Sequence, residues 1–148
     1  MSPQPPARPD APPLCDEDYQ ALASFRAELR RFLRFSKDAA RKAGLTPQQH
    51  QALLAVRGHP GPGPASVSSV AEALQLQLHS ATELLARTEA AGLLRRSTDP
   101  ADRRRTLCTL TPAGETVLAS LSERHRLELR QLRATVGGLT RLDSADQD

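Results

Sequence analysis

Apolar positions recur along the first third of the chain at helical spacing. Leu22, Phe25, Leu29, Phe32 and Phe35 fall three or four residues apart, which places them on one stripe of a helix. Asp16 suits an N-cap, Glu17 and Asp18 put negative charge on the first turn, and Gly44 is a stop. A first helix is therefore expected over about 16–43. Thr46-Pro47-Gln48-Gln49 opens a second helix, with Thr as the cap, Pro at the first helical position and Gln placed for a capping box. This helix carries Leu53, Leu54 and Val56 and stops before Pro60. Gly58 to Pro64 is a loop by composition. Ser66 then caps a short helix with Val70, Ala71 and Leu74 inward. A break at Leu76–Leu78 leads to another helix, from about His79 to Ala91, with Leu84 and Leu85 inward and Gly92 as its end. Two short helices on a tight connection predict a helix-turn-helix.

Leu93 to Ser97 and Arg105 to Leu110 are short β-prone runs on either side of turn residues, the pattern of a hairpin. Thr111-Pro112 repeats the cap-plus-Pro start. The last helix places Leu118, Leu121, His125, Leu129, Leu132 and Val136 on one stripe near coiled-coil spacing, and Gly137-Gly138 ends it. The expected fold is mainly α with a small β-hairpin. A helix-turn-helix and its hairpin at about 46–111 lie between long helices at about 16–43 and 112–136. Residues 1–14 hold six of the twelve prolines and are expected to be a disordered tail. Residues 141–148 read as a flexible acidic tail.

Composition narrows the picture. At 148 residues the chain fits one domain with a real core. With no Trp, one Tyr and three Phe, that core must be aliphatic. A net charge of +3 permits nucleic acid as a partner, and its distribution matters more than its total. Cys15 and Cys108 are too few and too far apart for a disulfide framework, which suits a reducing compartment. No apolar run is long enough for a membrane span, and the first residues lack a signal peptide's apolar stretch. A cytoplasmic protein without a membrane partner is expected. There is no Gly-rich phosphate loop, no G-x-S-x-G and no helix-spaced carboxylate pair, so neither catalysis nor a cofactor is expected. His50, His59, His79, His125 and the two cysteines lack metal-ligand spacing.

Charge is concentrated in one place. Arg95, Arg96, Arg103, Arg104 and Arg105 face only Asp99 and Asp102 along the hairpin. A tip of this kind can insert Arg into a narrow minor groove, where the potential is most negative. The helix before it offers Gln77, His79, Ser80, Thr82 and Glu83 near its start, hydrogen-bonding groups suited to base edges in a major groove. Arg87 lies two turns in, within reach of a phosphate. Cys108 alternates with Leu107 on a strand and reads as a small, half-buried filler.

Ala86 to Leu94, then Asp99-Pro-Ala-Asp-Arg-Arg-Arg105 followed by Leu110-Thr-Pro-Ala-Gly114, resemble the MarR family of winged-helix regulators. With the flanking helices the resemblance runs from Asp16 to about Leu139. It implies a sequence-specific regulator that binds double-stranded DNA, acts as a homodimer on a palindromic operator and is released as a repressor by a ligand. It implies that Asp102 pairs with Arg104 and orients it. It also implies a dimer interface through Phe25, Leu29, Phe32, Leu118, Leu121, Leu129 and Leu132. A small aromatic or phenolic effector is implied between that interface and the DNA-binding lobe, with Phe32, Arg34, Phe35 and His50 as candidate linings. A peroxide-sensing branch uses a cysteine near the place of Cys15, which makes Cys15 a redox candidate. Asp16, Glu17 and Asp18 oppose its thiolate, and Tyr19 is the only tyrosine. Glu83, Thr88 and the long Gly58–Pro64 loop depart from the pattern. Two alternatives stay open at this point: a winged-helix module that binds protein, and a ligand sensor without DNA binding.

Overall fold

The computed structural model describes residues 12–139 and 142. The expected tails at 1–14 and 141–148 fall almost wholly outside the described residues. The elements run α1 (Asp16–Lys42), α2 (Pro47–Arg57), β1 (Ala65–Ser66), α3 (Val67–Leu74), α4 (Leu78–Ala90), β2 (Leu94–Thr98), β3 (Thr106–Leu110) and α5 (Pro112–Gly137). The expected order holds, with one addition. The two-residue β1 pairs antiparallel with β3, so the hairpin becomes a three-stranded sheet in the order β1-β3-β2. Among the described residues no helix is long and apolar enough to cross a membrane.

The helix ends are set by local chemistry. Gly44 adopts φ +82°, the left-handed turn that lets the Leu45 amide reach back to the Ala40 carbonyl at 3.0 Å. Thr46 caps α2 in a full capping box: the Gln49 amide donates to Thr46 Oγ1 at 3.1 Å, and the Thr46 amide donates to Gln49 Oε1 at 3.0 Å. Ser66 and Ser69 make the same reciprocal pair on α3, at 3.1 and 2.9 Å. Each such cap stabilises its helix by roughly 1 kcal/mol. Between α3 and α4 the chain turns at Gln75, a non-glycine residue at φ 54°.

The chain divides into two compact units: residues 34–126, and residues 1–33 with 127–148. The boundary falls inside α1 and α5, not at their ends. In the 34–126 unit Leu53, Val70, Leu85, Leu94 and Leu121 are fully buried around the sheet and α2 to α4. The apolar stripe of α5 therefore changes role partway along. Leu118 and Leu121, expected at a dimer interface, are buried in the chain's own core at 4% and 1% exposure, because the first turns of α5 pack on the winged helix. In the other unit Phe25, Leu29, Phe32 and Leu132 are half-buried and Leu129 is exposed.

Besides the capping Ser66, three polar residues, Thr88, His50 and His125, are buried in the 34–126 unit. Thr88 is fully buried, and its hydroxyl donates to the Leu84 carbonyl at 2.7 Å, so its departure from an apolar residue is satisfied locally. His50 is buried against the ring of His125, with centroids 5.1 Å apart, and Phe35 packs edge-on to the same His125 ring at 5.2 Å. His125 Nδ1 hydrogen-bonds the Leu121 carbonyl. Burial, and secondarily repulsion from His125, pushes the His50 pKa below its ordinary value of 6.5.

The root of the hairpin is a close backbone approach. The Thr111 amide donates to the Leu93 carbonyl at 3.1 Å, and the Thr111 hydroxyl donates to the Gly92 carbonyl at 2.6 Å. The Gly114 amide in turn donates to Thr111 Oγ1 at 3.1 Å. A Cβ on Gly114 would collide with the Leu93 carbonyl oxygen. Gly114→Ala is thus expected to destabilise the fold by about 1–3 kcal/mol, measured by denaturant unfolding.

His50 gives a second test. Its neutral form is favoured by the fold, so the unfolded chain takes up a proton at higher pH than the folded one. Its contribution is complete above about pH 6.5 and is lost as pH falls below that. Thermal melts should show Tm falling between pH 7.5 and 5.5, and His50→Phe should shrink the fall. An unchanged pH profile in the variant would assign the effect to other groups.

Candidate nucleic-acid interface

α4 buries Ala81, Leu84, Leu85 and Thr88. Its opposite face leaves Leu78, His79, Thr82, Glu83, Arg87 and Ala90 exposed. Of the residues expected to meet DNA, His79, Thr82, Glu83 and Arg87 share this face, whereas Ser80 is half-buried at its edge. Gln77 is the N-cap but makes no side-chain capping bond, and its amide stays exposed. The Thr82 hydroxyl donates to the Leu78 carbonyl at 2.8 Å, which leaves it as an acceptor toward anything outside. Glu83 has no ion pair among the described residues.

The hairpin tip between β2 and β3 is organised by its two aspartates. Asp102 accepts from the Arg104 amide at 3.1 Å, from Nε at 3.1 Å and from Nη2 at 3.3 Å. This pairing, side chain first, holds the Asp102 carboxyl below the usual carboxylate range. The Arg104 side chain is nonetheless 90% exposed, so its Nη1 edge projects outward from a fixed fork. Asp99 accepts from the Ala101 amide at 2.9 Å and lies 3.7 Å from Arg105 Nη1. The Asp99 amide also donates to the Arg105 carbonyl at 2.9 Å, closing the tip. Arg95 and Arg103 are both exposed.

Arg96 behaves differently from its neighbours. Its amide donates to Glu89 Oε2 at 2.6 Å and its Nε donates to Glu89 Oε1 at 3.2 Å. The bond from the Arg96 backbone, followed by those from its guanidinium, holds the Glu89 carboxyl below its usual range. The sequence balance of five arginines against two aspartates thus overlooked a third carboxylate, supplied by α4. Glu89 is seven residues before Arg96 in the chain, and nothing in either spacing signals the pair.

Between the start of α3, the start of α4 and the hairpin lies a groove of about 160 Å³, with Ser68, Leu78, Thr82, Arg96, Arg104 and Arg105 among its walls. It joins the α4 face to the arginine tip, so the two expected contact regions are neighbours. Leu78, 56% exposed at this surface, was not among the expected contacts, since the sequence places it in the break before α4.

The remaining candidates sit elsewhere. Phe35 and His50 converge on His125, Arg34 is exposed, and Phe32 belongs to the other unit. A second cavity, about 370 Å³, lies under the Gly58–Pro64 loop and is lined by His59, Pro60 and Glu72 among others; none of the four effector candidates lines it. Cys15 is exposed at the start of α1, where its amide donates to Asp18 Oδ2 at 2.8 Å. Cys108 is fully buried, more deeply than expected, and burial pushes its thiol up to about 11.

The model of the MarR family matches residues 43–105. The transcriptional regulator HosA of Escherichia coli O111:H- is 38% identical over 76 residues, 51% of this chain and 54% of that protein. The matches span a little over half the length of such curated relatives. Among solved structures, Bordetella bronchiseptica BpsR, whose DNA binding is regulated by 6-hydroxynicotinic acid, superposes with a TM-score of 0.62 at 26% identity, over 84% of this chain and 98% of that one. The S. aureus MepR–DNA complex shares the fold with a TM-score of 0.61 at 21% identity, over 84% and 96%. Motif, hairpin geometry and fold agree in their likeness to the MarR family, whose model matches the 43–105 segment of the chain.

Proposed function

We propose that the chain is a sequence-specific, double-stranded-DNA-binding transcriptional regulator that acts as a homodimer on a palindromic operator and is released by a small aromatic effector. The observation that carries this reading is the exposed Arg104 fork, fixed by Asp102 and set beside the polar face of α4. An α-helix fits the major groove, and a preoriented arginine suits a narrow minor groove next to it. A fork held in place before binding loses less entropy on docking than a free arginine.

The dimer is supported by apolar surface in the second unit. Leu33, Leu127, Leu129 and Val136 are 44–66% exposed in the single chain. Phe25, Leu29, Phe32 and Leu132 are half-buried there and complete the proposed interface. A two-fold dimer presents two copies of α4, hence a palindrome with half-sites about one helical turn apart. The effector rests on likeness to BpsR, with Phe32, Arg34, Phe35 and His50 as the residues to test.

The experiment is fluorescence anisotropy against duplex DNA from upstream of the chain's own gene, with a scrambled duplex beside it. Neutralising roughly eight phosphates gives a log–log salt slope of about −7. Arg104→Ala should weaken binding to the matched duplex by about tenfold or more without lowering Tm. Equal, weak binding of the unaltered protein to both duplexes would overturn the reading in favour of a protein partner.

A further inference from the structure

We propose that α4 reads two kinds of base by distinct chemistry: Leu78 by apolar contact with a thymine C5-methyl, and Glu83 by accepting a hydrogen bond from a cytosine N4 amino group. The inference rests on the DNA-binding reading above and specifies it.

The exposed face of α4 divides into two files. Leu78 and Thr82 are four residues apart on the side that borders the arginine groove. His79 and Glu83 are four apart on the outer side, with Arg87 a turn beyond. Toward the C-terminus the face carries Ala90, with half-buried Ala86 at its edge, and an alanine side chain can make no hydrogen bond to a base. Discrimination is therefore left to the first turns.

Leu78 is not a core residue that failed to bury. The inward positions of α4 are filled by Ala81, Leu84, Leu85 and Thr88. Leu78 instead stands 56% exposed at the rim of a groove lined with Arg96, Arg104 and Arg105. In a major groove the apolar group available to it is the thymine C5-methyl. Thr82 reinforces the choice. Its proton is spent on the Leu78 carbonyl at 2.8 Å, so it offers a methyl group and an acceptor, not a donor.

Glu83 is the unusual feature of this face. A carboxylate near phosphates is repelled, and no basic side chain pairs with it among the described residues. As an acceptor only, it gains from a base solely through an exocyclic amino group. Adenine's amino group is flanked in the groove by two acceptors, its own N7 and the O4 of the paired thymine. Cytosine's is flanked on one side by a C5–H. A carboxylate therefore favours cytosine, and it penalises thymine and guanine, whose only hydrogen-bonding groups at that edge are acceptors.

The test selects preferred sites from a library of duplexes with a randomised central segment, using the full chain and its Glu83→Gln and Leu78→Ala variants. Both residues are exposed, so the variants should keep the fold, checked by circular dichroism. Glu83→Gln is expected to exchange one cytosine per half-site for adenine, with about tenfold weaker binding to the original site. Replacing a single thymine by deoxyuridine in each half-site should weaken the unaltered protein by about fourfold per half-site, and Leu78→Ala not at all. Variants that select the same bases as the unaltered protein would overturn the inference and leave DNA binding standing. An unaltered protein that selects no preferred sequence would overturn the DNA-binding reading itself.

Discussion

Glu89 ties the β2–β3 hairpin to α4, and the geometry of the candidate interface follows from that tie. It accepts from both the amide and the guanidinium of Arg96, so one carboxylate fixes the position of β2 and absorbs the charge of one arginine. On the other side of the hairpin, Thr111 and Gly114 hold the start of α5 against the segment Gly92–Leu94 through the carbonyls of Gly92 and Leu93. A two-stranded ribbon alone is marginally stable in water. Here it is pinned at β2 and at its root, and it gains a third strand from β1. The tip can then project arginine without the ribbon itself being free to swing.

The charges of the tip are distributed, not merely accumulated. Asp102 orients Arg104, Asp99 lies beside Arg105, and Glu89 holds Arg96. Exposed ion pairs of this kind add little to stability. Their value lies in the direction they give the guanidinium before any partner arrives. Glu83, with no such pairing among the described residues, is the acid on the α4 face whose charge is left for a partner to meet.

Much of this was legible in the sequence because its causes are local. A cap, its partner three residues on, and a following proline fix a helix start within four residues, and Thr46–Gln49 behaves accordingly. The Asp102–Arg104 fork likewise spans two residues. What was not legible depends on distant segments. The strand β1 exists because Ala65 and Ser66 meet Cys108 and Leu107, which lie far along the chain. The α5 stripe has one periodicity throughout, yet Leu118 and Leu121 face the chain's own core while Leu129 is exposed, since periodicity names a face but not what covers it. His50, a candidate effector contact, packs against His125, a meeting of α2 and α5 that neither sequence neighbourhood foretells.

Under the proposed function, α4 and the β2–β3 hairpin meet DNA as one rigid unit joined by Glu89. A double-mutant cycle between Glu89→Ala and Arg104→Ala tests it most directly, with the ratio of matched to scrambled duplex affinity as the readout, so that charge freed on Arg96 cancels. If Glu89 positions the wing, the loss from Arg104→Ala should largely vanish once Glu89 is gone, and the double variant should discriminate about as well as Glu89→Ala alone. Losses that simply multiply would mean that the wing finds its groove independently of the helix, and would contradict the account.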